Sequence, residues 1–223
     1  VTRPHTTRIR VWHFAGNTLR DGRPLPRKGD VLKHDGLVVP CESGLHGSER
    51  PLDALAYALG ANVALCELGG TVVPHESDKH AASERHYLSG YVDASRVLHE
   101  FACWCATRAL DREEAAGRKV DPRSRAAIAT KLAWLDGKAT DDDLAAAWAA
   151  AWDAASAAAS AAAWAAARAA RDAAWDAARA AASDAARAAA RDAAARDAAA
   201  WDAARDEHNA ELERRLMALV EGR

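Results

Sequence analysis

Between residues 141 and 221 the chain has neither glycine nor proline. These are the residues that most readily end or kink a helix, so their absence excludes a succession of short elements there. Sulfur is scarce as well, with four cysteines (Cys41, Cys66, Cys103, Cys105) and one methionine. That is too little for a disulfide scaffold. Cys103 and Cys105, two apart on a helix, would point to different faces and suit neither one bond nor one metal. Reduced structural thiols are expected. An excess of one charge is missing too: 30 Lys/Arg stand against 32 Asp/Glu. Residues 141–223 hold 10 basic and 15 acidic groups, and the remainder holds 20 and 17. Neither part has the basic excess that binding to a phosphate backbone needs, which argues against nucleic acid. No apolar run is long and charge-free enough to cross a bilayer. The start, Val1-Thr2-Arg3-Pro4, is polar and unlike a secretory signal, so a cytoplasmic protein is expected. No Walker loop, zinc-protease helix or nucleophile elbow occurs.

Alanine is what the chain has most of. Of the 61 residues from 144 to 204, 39 are Ala. Alanine has the best helix propensity because it loses no side-chain entropy. The spacing predicts one long helix, up to ~120 Å if unbroken, or two helices folded back on each other. At ~3.75 residues per turn, a period implying right-handed drift, Trp148, Trp152, Trp164, Trp175 and Trp201 gather within about a quarter of the circumference. The opposite half is almost bare Ala. Such a face buries little area per side chain but lets two backbones approach closely. It is therefore expected to pack on another helix, from this chain or a second copy, with the tryptophans flanking the seam. The alternative is a drifted low-complexity repeat with no selected partner.

The N-terminal part reads as a small sheet. Residues 8–14 alternate as a first strand. Residues 30–33 and 37–40 read as short strands around Asp35-Gly36. Residues 41–48 read as a loop of small polar residues, and 51–59 as a helix with Pro51 in its first turn. Two strand-like runs, 63–68 and 71–73, surround Gly69-Gly70. Residues 75–80 form a charged loop, and 85–92 a last strand broken at Gly90. The pattern predicts an α+β fold with a mostly antiparallel sheet and one helix. From Asp93, a fair cap, the period becomes helical through Val97, Leu98, Phe101, Ala102, Cys105 and Leu110. Gly117 stops this helix, Asp121-Pro122 opens a second, and 140–143 starts the Ala-rich one with acids in its first turn. The expected division is 1–92 for the α+β domain, 93–139 for two connecting helices, and 140–223 for an all-α bundle or rod.

Several runs occur together and in order. They are Trp12-His13-Phe14, Leu19-Arg20-Asp21-Gly22-Arg23, the stretch from Cys41 to Ser48, Asp53-Ala54-Leu55-Ala56-Tyr57-Ala58, Asp78-Lys79 and Arg85. This series resembles an uncharacterised domain family, a domain of unknown function, of actinobacteria and their phages. Its members have a Gly-Leu-His-x-Ser turn, an Asp-Ala-Leu-x-Tyr-Ala helix and an Asp-Lys-x-x-Ala element, followed by two helices and an Ala/Trp/Asp-rich tail. The resemblance covers roughly residues 8–134. It implies an architecture and no established activity. This chain has His80-Ala81 after Asp78-Lys79, and Gly47 where that family more often has Ala.

The sharpest candidate site is Gly44-Leu45-His46-Gly47-Ser48. A His between glycines can expose its ring nitrogens and nearby N–H groups to a ligand. ADP-ribosyltransferases and RNA 2′-phosphotransferases have a similar short stretch in which the His holds a ribose hydroxyl. Tyr57, Tyr87, Tyr91 and Glu84 exist, but nothing selects them as that family's later Tyr and Glu. The competing structural role is a tight turn in which Ser48 caps the helix and His46 bonds backbone. A second cluster holds His75, Asp78, Lys79, His80, Glu84, Arg85 and His86. A metal needs two or three converging ligands, to which His75 and His80 could contribute; loops of this composition are usually solvated, and no metal or cofactor is expected. Lys79 and Arg85 with His46 could clamp an anion if the loops meet. The sequence thus supports first a non-enzymatic interaction or scaffold protein, phage-derived in kind, that binds a second copy or a helical partner. The alternative is a nucleotide- or NAD-handling enzyme resembling ADP-ribosyltransferases. Its site would be His46, the one catalytic candidate, with Ser48, Lys79 and Arg85 as ligand-binding residues. Such an enzyme requires one cleft joining His46, Lys79 and Arg85.

Overall fold

The computed structural model describes residues 8–75, 78–154, 156 and 183–222, of which 75 and 183–201 are described by backbone alone. Trp164 and Trp175 lie outside the described residues, and Trp201 is described only as helical backbone. The chain forms two compact units: Val1–Phe101 with Arg205–Arg223, and Ala102–Ala204. The sequence division at 92/93 and 139/140 differs from this grouping, because the last turns of the tail belong with the sheet.

The first unit is α+β. Its strands are β1 (Ile9–Ala15), β2 (Val31–Lys33), β3 (Leu45–Gly47), β4 (Asn62–His75), β5 (Lys79–Tyr87) and β6 (Val92–Asp93), with helix α1 (Pro51–Leu55) after β3. All pairings are antiparallel: β1-β4-β5-β2 form the main path, β3 joins β5, and β6 joins β4. Beyond β3, Ser48 pairs with Trp12 through both backbone hydrogen bonds, at 2.7 and 3.2 Å. The path β1-β4-β5-β3 therefore returns to β1, so the sheet curls and protects edges that would otherwise stay open. Val11, Ala64, Cys66, Leu68, Ala82 and Tyr87 form its buried cluster, with Ile9, Leu32, Val72 and Tyr91 against it. Burial pushes the Cys66 thiol up to about 12, as expected of a structural cysteine.

Local chemistry explains where sequence expectation and structure part. Residues 37–40 form no strand; only Val39 bridges to Ser43. The expected loop at 41–48 contains β3, since Leu45, His46 and Gly47 find partners on Ala82, Ala81 and His80. The runs about Gly69-Gly70 are one strand with a bulge between Gly69 and Val72. Gly70 has φ 70°, and a Cβ there would meet Ser83 Oγ at 2.1 Å. Ser48 does not cap α1, whose N-cap is Arg50 without a side-chain bond.

The tail supplies that cap. Helix α2 (Ser95–Ala115) begins in the sheet unit, and the long helix from Ser183 to Val220 ends in it. Asn209, buried, accepts the Leu52 N–H through Oδ1 at 3.1 Å. Arg205 pairs with buried Asp53 at 2.5 Å, and Arg50 pairs with Asp206. Leu212 and Leu216 are fully buried. Fully burying one such side chain stabilises by ~1.5–3 kcal/mol.

The second unit is helical. It contains the end of α2, then α3 (Pro122–Leu135) and α4 (residues 141–154); the helix from Ser183 is α5. Asp121 accepts the Arg123 N–H as the α3 N-cap. Thr140 and Asp143 form a reciprocal capping box, each side chain accepting the other's backbone N–H. Arg125 ties α3 to α2 through Asp111 and Glu114.

Candidate functional site

Strand alternation and register assemble the site. Lys79, Arg85 and Tyr87 fall on one face of β5, since successive side chains alternate. Tyr87 lies opposite Cys66 of β4, which lies opposite Val11 of β1. His13, two residues beyond Val11, therefore shares that face. On the far side His46 of β3 stands opposite Ala81, also on that face. Where the curled sheet faces α1, His13, His46, Lys79 and Arg85 line one cavity of about 640 Å³. Its wall includes His13, Arg20, His46, Ser48, Lys79 and Arg85, with Tyr57 and Leu59 also lining it. All four ligand-binding candidates read from the sequence are thus brought together.

Their roles differ. The His46 ring serves backbone: Nε2 accepts the Cys41 N–H at 3.2 Å, and the ring also bonds the Gly44 backbone. Burial lowers its pKa, helped by the positive charges of Lys79, Arg85 and Arg20. His46 therefore clips the 41–46 turn, as the competing structural role required. Ser48 is buried, with its backbone held by Trp12. Gly47 allows the fit, because a Cβ there would lie 2.5 Å from Val11 Cγ2.

Arg85 is the unusual member. Its side chain is only 4% exposed, yet no carboxylate pairs with it among the described residues. Nε donates to Tyr87 Oη at 2.9 Å and Nη1 donates to the His46 carbonyl at 2.8 Å. A buried cation is expensive unless an anion or well-placed acceptors compensate it. Lys79 adds a second positive group, its Nζ 4.0 Å from the centre of the Tyr57 ring. Tyr57 in turn donates to Asp78 at 2.5 Å. Of the two acids in the wall, Asp21 and Glu42, against Arg20, Arg23, Lys79 and Arg85, Asp21 is engaged by Arg23 at 2.6 Å. The cavity is thus predominantly electropositive.

The rest of the second cluster divides away from it. His80 meets Glu49 at 2.8 Å. Glu84 is held below the usual carboxylate range by hydrogen bonds from His86 and Lys33, so its partners lie outside the cavity wall. Among the described residues, no group of three or more His, Cys, Asp or Glu could hold a metal. No described helix is long and apolar enough to cross a membrane.

Sequence reasoning missed His13. Its Nδ1 lies 2.5 Å from the Tyr91 hydroxyl. Burial pushes its imidazole well below the usual range, with Arg85, His46 and Arg20 adding to the effect. The available signal was the alternation of β1, which places a His inward between Val11 and Ala15.

In the helical unit, Trp148 and Trp152 stack with ring centres 5.8 Å apart and are 66% and 62% exposed. They line a shallow apolar groove with Leu110 and Ile128.

The first unit is thus an α+β domain whose curled antiparallel sheet carries a cavity beside one helix. Residues 12–100 match the model of an uncharacterised family, Domain of unknown function (DUF7666), so this stretch of the chain is similar to that domain. No curated protein and no solved structure matches the chain.

Proposed function

We propose that the sheet unit binds a small phosphate-bearing molecule of the nucleotide class, and that the Ala-rich tail is an interaction arm. The observation carrying the first part is Arg85: a buried guanidinium without a carboxylate partner among the described residues, on the wall of a large cavity beside Lys79. A volume of about 640 Å³ falls within the range of small-molecule sites. Phosphate oxygens meet the guanidinium and ammonium, while Tyr57 and Leu59 offer apolar surface to a ring. The His46 ring, engaged with backbone, shapes the pocket rather than holding the ligand. Binding is the function supported best, and the NAD- or nucleotide-handling enzyme built around His46 is the weaker form of this reading. Calorimetry with pyrophosphate, ATP and NAD tests it. Saturable binding that weakens in Arg85→Met supports the reading, and no heat with any of the three removes it.

A second reading concerns the helical unit. Trp148 and Trp152, two-thirds exposed and mutually stacked, favour a protein-contact role for that face. A second copy or a helical protein is the expected partner. Light scattering across a hundredfold range of concentration tests self-association. A mass that stays monomeric throughout removes it and leaves a heterologous partner.

A further inference from the structure

The positive groups of the cavity wall differ in depth and in partners. Arg85 is buried, with Nε given to Tyr87 Oη and Nη1 to the His46 carbonyl. Its Nη2 has no acceptor among the described residues and is not a sealed atom. Lys79 is half-buried against the Tyr57 ring. Arg20 is exposed. Among the described residues none of the three pairs with a carboxylate. The turn that carries Arg20 explains why. Leu19, buried, anchors it, and two backbone bonds close it: Leu19 N–H to the Arg23 carbonyl and Gly22 N–H to the Leu19 carbonyl, both at 2.9 Å. Asp21, the acid of that turn, is taken by Arg23 through Nε at 2.9 Å and Nη2 at 2.6 Å. Arg20 is left over on the wall. With Asp21 and Arg23 satisfying each other, Glu42 is the one negative group facing Arg20, Lys79 and Arg85 in the wall. The three positive charges also converge. Burial lowers the His46 pKa, and Lys79, Arg85 and Arg20 all lower it further.

Resting on the reading of the cavity as a phosphate-ligand site, we infer that Arg20 is a further ligand-binding residue and that the ligand carries two linked phosphates, the inner one held by Arg85 and Lys79 and the outer one by Arg20. A single phosphate concentrates its charge at one point. Cations graded from buried to exposed along one wall match an extended anion instead. Guanidinium suits both ends of that run, because its fork meets two phosphate oxygens at once. Without a ligand the three cations repel one another around an uncharged imidazole, and a diphosphate removes that repulsion. Arg20 therefore separates linked phosphates from a lone one, while Arg85 binds either.

Calorimetry on the full chain with orthophosphate and pyrophosphate tests it. The unsubstituted protein should bind pyrophosphate at least about tenfold more tightly than orthophosphate, the second phosphate adding charged hydrogen bonds. Arg20→Gln should weaken pyrophosphate by about three- to tenfold, the lower end reflecting an exposed contact. It should weaken orthophosphate by less than about twofold, because that anion sits on Arg85 and Lys79. Arg20→Lys, which keeps the charge, should recover most of the pyrophosphate affinity. Arg27→Gln removes the same charge from an exposed residue outside the cavity wall and should leave both anions unaffected. Arg20 is exposed, so Arg20→Gln is expected to melt at the same temperature as the unsubstituted protein when no ligand is present. Equal affinity of the unsubstituted protein for the two anions overturns the inference. So does pyrophosphate binding that Arg20→Gln leaves unchanged, or that Arg27→Gln weakens as much. In each of those cases the cavity reading stands on Arg85. If pyrophosphate, ATP and NAD all fail to bind the unsubstituted protein, the cavity reading falls and the role of Arg20 falls with it.

Discussion

Replacing Arg85 by Met separates a ligand role from a structural one. In the folded state Arg85 loses two hydrogen bonds, to Tyr87 Oη and the His46 carbonyl. The desolvation of a buried cation disappears with them. These effects oppose each other, so the intrinsic stability is expected to move by only about 2 kcal/mol or less. The informative quantity is the stabilisation by ligand. At a ligand concentration about 100-fold above Kd, binding adds about 2.7 kcal/mol to the folded state. In a chain of 223 residues, 1 kcal/mol moves Tm by about 2–4 °C, so pyrophosphate should raise it by roughly 5–10 °C. Charged hydrogen bonds contribute about 1.5–3 kcal/mol each, so Arg85→Met should weaken binding by roughly 10- to 100-fold. At the same ligand concentration the rise then shrinks to about 0.4–1.4 kcal/mol, or roughly 1–5 °C. Scanning calorimetry of both proteins, with and without pyrophosphate, makes the measurement. An equal rise in both would refute the assignment of Arg85 as the anion anchor.

Three other outcomes are expected. Gly47→Ala brings a Cβ to 2.5 Å from Val11 Cγ2, and urea unfolding should show a loss of about 1–3 kcal/mol from overpacking. Asn209→Ala removes the α1 cap and should cost about 0.5–2 kcal/mol by the same measurement. Stability should also fall as pH drops below about 6.5, the ordinary histidine value. The His13 and His46 pKa values are lowered by folding, so the unfolded chain takes up protons that the native state refuses. The contribution is complete above that pH and is lost below it, at up to about 1.4 kcal/mol per pH unit for each ring that stays neutral. Urea midpoints at pH 7.5 and 5.5 measure the loss, and His13→Gln should reduce it.

The parts of the fold that were legible in the sequence are those coded by neighbours in the chain. The alternation of β1, the α3 cap at Asp121 and the Thr140–Asp143 start of α4 each follow from residues a few positions apart. Strand β3 was read as loop because Leu45, His46 and Gly47 are too few to show a period. Its pairing comes from β5, more than thirty residues further on. The cavity was half legible. Lys79, Arg85 and His46 were named together, but only register shows that Arg85 is buried and that His46 is engaged with backbone. His13 was passed over because a single polar residue in an apolar strand has no local signature. The docking of Leu212 and Leu216 was missed in the same way, hidden by the alanine run before it.

The Asn209 cap also sets a sequence of events during synthesis. Every strand of the sheet leaves the ribosome long before residues 205–223 are made. Until they arrive, the first turn of α1 lacks its cap and the Asp53 carboxylate has no arginine. The nascent domain is therefore finished only after translation of its last helix, and a fragment cut to residues 12–100 would remain at that earlier stage.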